Sequence, residues 1–89
     1  MRKEYEKILG SETRVLAIET RDRLGLTQRE MGIRLQMGEN SYCSIEAGRT
    51  ACGALTATLL LSMQEDPKQF LDRVTDKFDK CYEEEMKVL

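Results

Sequence analysis

The chain has 89 residues, with 14 Lys and Arg against 16 Asp and Glu, 40% hydrophobic side chains and one Pro. That fits one compact unit with a single core and excludes a two-domain enzyme, a disordered tail and a collagen-like repeat. His and Trp are absent, so the commonest general base and metal ligand is missing, and residues 53–89 hold five basic against eight acidic groups where residues 1–52 hold nine against eight, a balance that argues against a nonspecific nucleic-acid coater yet allows a local basic face.

No stretch alternates apolar and polar residues as a half-buried strand would, so the expected fold is an all-α bundle of five to six helices. Tyr5, Ile8 and Leu9 stand at helical spacing and predict a short helix over 3–9, ended at Gly10. Ser11 is placed to cap a second helix that runs to Leu24, and Gly25 stands where a left-handed stop belongs. Thr27 and Glu30 form a T-x-x-E capping box, in which hydroxyl and carboxylate each satisfy an orphan backbone donor, and this predicts a helix over 28–36. Tyr42 and Ile45 predict a short helix over 39–47, stopped by Gly48. Residues 52–64 are apolar nearly all round and read as the central core helix. Asp66, Pro67 and Gln69 then open a helix of about six turns along the stripe Phe70, Leu71, Val74, Phe78, Cys81, Tyr82, Met86 and Leu89. The single domain 1–89 divides into a core at 11–64 and a C-terminal helix at 66–89.

Cys43, Cys52 and Cys81 are an odd number at wide spacing with no C-x-x-C, which predicts reduced thiols, no metal site and no cofactor. A redox role for Cys43 competes with that of an inert small residue, and no neighbour in the sequence clearly depresses its pKa. Glu39 and Glu46 lie seven apart with no nucleophile beside them, so no enzyme is expected. No basic segment leads into an apolar one, and the longest aliphatic run, Leu59 to Leu61, is far short of the roughly 20 residues of a membrane span, so a cytoplasmic protein without membrane contact is expected.

The informative stretch is residues 21–50, where two short predicted helices are separated by about three residues and the second is closed by Gly48. Leu26, Thr27, Gln28 and Glu30 match an L-[ST]-Q-x-E entry, Met31 and Leu35 fit core positions, Gly32 fits a close helix approach, and Ile45, Glu46 and Gly48 match an I-E-x-G ending. On these residues the chain resembles the Cro/repressor-like helix-turn-helix family, also called the Xre family, without a gap from Arg21 through Gly48. The resemblance implies a lambda-repressor-like helix-turn-helix within the bundle and a sequence-specific regulator of transcription that binds double-stranded DNA, expected to be a repressor acting as a homodimer.

Carried over residue by residue, the resemblance implies base reading by Glu39, Asn40, Ser41 and Ser44, with Asn40 the best reader because its amide suits adenine. It implies phosphate contacts from Thr27, Gln28, Arg29, Arg49 and Thr50, with Arg34 a weaker candidate, and a structural ion pair between Arg21 and Glu46. The turn departs from the family's usual Gly, Val and Ser or Thr: this chain has Gln36, Met37 and Gly38, so a non-Gly residue is expected in the left-handed conformation and the reading helix is expected to lack a side-chain cap. Phe70, Val74, Phe78, Cys81 and Tyr82 are expected to serve a dimer or partner surface, against the competing use of the same stripe in the chain's own core. The alternative function is an antitoxin or adaptor of the same helix-turn-helix type, gripping a partner protein through its C-terminal helix.

Overall fold

A computed structural model describes residues 2–88, and its described residues form five helices and no strand: α1 (Arg2–Leu24), α2 (Gln28–Arg34), α3 (Glu39–Glu46), α4 (Ala54–Ser62) and α5 (Pro67–Val88). The all-α expectation holds at that level. Leu89, the last residue of the predicted apolar stripe, lies outside the described residues.

The expected break at Gly10 does not occur: α1 runs through it for 23 residues, and Ser11 lies inside the helix instead of capping one. A glycine in a helix interior costs only about 1 kcal/mol relative to Ala, and packing outweighs it. α5 lies antiparallel against α1, with the Tyr5 and Phe78 rings 4.9 Å apart and Lys77 Nζ 2.5 Å from the buried carboxylate of Glu12. The Thr13 hydroxyl also donates to the carbonyls of Leu9 and Gly10, at 2.8 and 3.1 Å.

Three helix ends share one device. After α1, α2 and α3 a left-handed residue lets its own N–H and the one that follows turn back onto the last turn. Gly25 (φ 66°) and Gly48 (φ 77°) do this without strain; Gln36 (φ 61°) does it at a cost, with Gln36 N–H donating to Ile33 O at 3.1 Å and Met37 N–H to Gly32 O at 2.9 Å. The chain therefore turns between α2 and α3 within four residues, and Gly38 opens α3 with no side-chain cap. Gly32 sits directly under this turn: a Cβ there would lie 3.0 Å from the Met37 carbonyl oxygen, tighter than nine in ten real Cβ contacts.

Every helix or its cap contributes to one core, formed by Leu16, Ala17, Met31, Leu35, Tyr42, Leu60, Phe70 and Val74, with Ile45 also buried. α4 is not the central helix that its composition suggests. It starts at Ala54 after Gly53, buries only Thr56 and Leu60, and leaves Leu55 two-thirds exposed. An almost uniformly apolar helix has no sequence-encoded inner face, and the space against α1 admits only one edge of it.

Candidate functional site

The polar chemistry of the fold converges on Glu46, the last residue of α3 and 9% exposed. Arg21, at the end of α1, grips it with two hydrogen bonds, Nε to Oε2 at 2.6 Å and Nη2 to Oε1 at 3.2 Å, while Nη1 donates to the Leu26 carbonyl at 3.1 Å. Gln28 Nε2 donates to Oε1 at 3.1 Å, and the Tyr42 hydroxyl donates to Oε2 from inside the core. Burial works to raise the Glu46 carboxyl, but the bonds from Arg21, Tyr42 and Gln28 outweigh it and hold the group below the ordinary carboxylate range. The Tyr42 hydroxyl is pushed well above its ordinary value, first by burial and then by its bond to Glu46, so it stays a donor. The Arg14 Nε adds a bond to the Glu46 backbone carbonyl at 2.6 Å, and Cys43 donates its thiol to Gln28 Oε1 at 3.2 Å. Arg21 and Gln28 thus clamp the end of α3 to α1 and to the start of α2, and the rotation of α3 about its own axis is set.

That rotation turns the opposite edge of α3 outward. Asn40, Ser41 and Ser44 line an open groove of about 390 Å³ together with Met37, Ile45, Thr50 and Ala51. The side chains of Glu39, Asn40, Ser41 and Ser44 make no hydrogen bond within the described residues, whereas the inward-facing polar groups of the same helix are satisfied. A second, larger cleft of about 780 Å³ runs between the first half of α1 and the segment after α3, and it also holds Ile45, Thr50 and Ala51 in its wall.

The structure therefore brings Asn40, Ser41, Ser44, Arg49 and Thr50 onto two adjoining concavities. Glu39 is exposed on α3 outside both walls, and Arg29 is exposed on α2. The Thr27 hydroxyl accepts from Glu30 N–H at 3.1 Å while Thr27 N–H donates to Glu30 Oε1 at 3.0 Å, which is the capping box in full. Gln28 commits both ends of its carboxamide inside the chain. Phe70 and Val74, expected on a dimer or partner surface, are 4% and 5% exposed and belong to the chain's own core, because the first two turns of α5 close the bottom of the bundle. Phe78 and Cys81 are half-covered, whereas Tyr82 is 55% exposed and continues a stripe with Leu71 and Met86.

Residue-by-residue reading of the sequence missed Arg14, Lys3 and Lys7. Lys3, Lys7, Gly10 and Arg14 recur at helical spacing, a stripe that becomes visible only when α1 is one helix; a break at Gly10 hides it. The three cysteines are free, and burial pushes the Cys52 thiol up, away from the reactive thiolate. Among the described residues no helix is long and apolar enough to cross a membrane. No family model matches the chain, and neither the curated proteins nor the solved structures contain a match to it.

Proposed function

We propose that the protein binds double-stranded DNA through a helix-turn-helix formed by α2 and α3 and acts as a dimeric transcriptional repressor. One observation carries the reading. α3 presents Asn40, Ser41 and Ser44, free of intramolecular bonds, along an open groove, while its inner edge is clamped through Glu46. Rigid backing with unspent donors and acceptors in front is what reading base edges in the major groove demands. Asn40 matches the two-point pattern of adenine, and the serines adapt to several bases. Backbone phosphates fall to Arg29, Arg49, Thr27 and Thr50; Gln28 joins them only by releasing Glu46 or Cys43. Arg21 and Glu46 hold the helices in register and do not touch DNA.

The exposed stripe Leu71, Tyr82 and Met86 on α5 supports pairing with a second copy of the chain, since two weakly charged modules on one duplex offset the modest phosphate attraction of either. Selection from a random duplex library tests the whole reading. The expected result is a two-fold symmetric motif whose half-sites lie about one helical turn, or about 34 Å, apart. No enriched motif at low salt, from protein with an intact helical circular dichroism spectrum, would overturn it.

A further inference from the structure

The larger cleft has a composition at odds with the rest of the chain. Lys3, Lys7, Arg14 and Arg49 border it, and the single acid among the described residues of its wall is Glu6, which Arg2 engages at 3.5 Å. Lys3, Lys7 and Arg49 enter no ion pair among the described residues. In a chain of net charge -2, four cations around one concavity repel one another unless an anion sits among them, and the concavity concentrates their field. We propose that this cleft holds the sugar-phosphate backbone of a DNA duplex where it runs on past α3. The proposal rests on the DNA-binding reading and adds to it a set of phosphate ligands from the first half of α1.

Four further observations favour a phosphodiester strand as the occupant. The cleft shares Ile45, Thr50 and Ala51 with the groove along α3, so a strand crossing one continues into the other. Arg14 is already positioned: its Nε is anchored on the Glu46 carbonyl at 2.6 Å, and its side chain lies over Gly48, 3.6 Å from where a Cβ would be. Gly10 weakens the helix it sits in, yet apart from its chain neighbours and the adjoining helix backbone nothing lies within 4 Å of where its Cβ would be, so packing does not require glycine there. It does line the cleft, and bare backbone at that point lets a bulky phosphate approach closely. The Ser11 hydroxyl, on the same wall, is a further donor.

The test is anisotropy titration of the full chain against a pool of random-sequence duplexes of about 30 base pairs across a salt series. The Lys3→Gln/Lys7→Gln pair should make the slope of log K against log salt shallower by about 1.8, about 0.9 for each phosphate that is no longer neutralised. Lys68→Gln/Lys80→Gln, which removes two α5 lysines outside the cleft, should leave the slope unchanged. Gly10→Ala should melt at a higher temperature and bind the duplex more weakly, a combination that a purely structural role does not produce. If the wild-type chain binds no duplex, the DNA-binding reading fails and this proposal with it. If it binds and the Lys3/Lys7 variant keeps the wild-type slope, this proposal alone is overturned. Saturable binding of inorganic pyrophosphate that Lys3→Gln/Lys7→Gln abolishes, with the duplex slope unaltered, would overturn it in favour of a free phosphorylated molecule.

Discussion

Glu46 is one carboxylate serving three helices. Because its folded form titrates below the ordinary carboxylate range, the stability it supplies is present above the ordinary value and is lost as pH falls through the folded one. Glu46→Gln keeps the shape but leaves Arg21 without its counter-charge, and it should cost about 3 kcal/mol near neutral pH, the lower end for a broken buried pair because Arg21 retains some access to water. Urea unfolding should show this loss at about pH 7 and a progressively smaller difference from wild type as pH falls below the ordinary carboxylate range and the wild-type carboxylate takes up its proton. Equal stability at neutral pH would mean that Arg21 is satisfied without Glu46. The outward residues call for a different readout. Asn40→Ala should lose about 1–3 kcal/mol at one base position of a selected site and nothing on random DNA, whereas Arg49→Ala should weaken every duplex alike and flatten the salt slope by about 0.9. The outward placement of Asn40 and Arg49, and the Arg21 pairing with Glu46, were legible from the motif. The parts of the Glu46 cluster supplied by Tyr42, Arg14 and Cys43 were not, since nothing in a linear order says which side chains meet behind a helix.

At the level of elements, the α2–α3 turn combines a strained residue with a steric ceiling. Gln36 adopts a conformation that glycine takes freely, so Gln36→Gly should stabilise the chain by about 1 kcal/mol, seen as a rise in melting temperature. Gly32→Ala should do the reverse despite its better helix propensity, because its methyl group would press on the Met37 carbonyl and push α3 off its seat. Were Gly32→Ala to melt as the wild type does, the turn would have to yield at no cost. The left-handed turn residue and the uncapped start of α3 were legible from the order Gln36, Met37, Gly38, as were the capping box and the glycine stops. Gly10 was misleading because propensity is a weak local preference and the antiparallel contact with α5 is a long-range one. The same reason moves α4 to the edge of the bundle: a helix apolar on all sides leaves the choice of inner face to its neighbours.

For the whole molecule, burial of Phe70 and Val74 leaves Leu71, Tyr82 and Met86 as the accessible part of the α5 stripe. If a second copy covers them, the full chain should sediment as a dimer at micromolar concentration and Tyr82→Glu/Met86→Glu as a monomer with unchanged helical content, because both side chains are about half exposed and add little to the core. A dimer that survives this substitution would place the interface elsewhere. Phe78→Glu is a poorer probe, since Phe78 is half-buried and packs on Tyr5.

Sequence by itself determined the helical class, the starts and stops marked by Thr27, Glu30, Gly25, Gly48 and Pro67, and the polar edge of α3, because each depends on residues no more than a few positions apart. Tertiary structure alone decided that α1 is one helix, that Gln28 and Tyr42 join Arg21 on Glu46, that Phe70 and Val74 of the α5 stripe are core, and that Lys3, Lys7, Arg14 and Arg49 surround one cleft. Those outcomes depend on which distant surfaces meet, and the free energy of that meeting exceeds the roughly 1 kcal/mol by which local preferences differ.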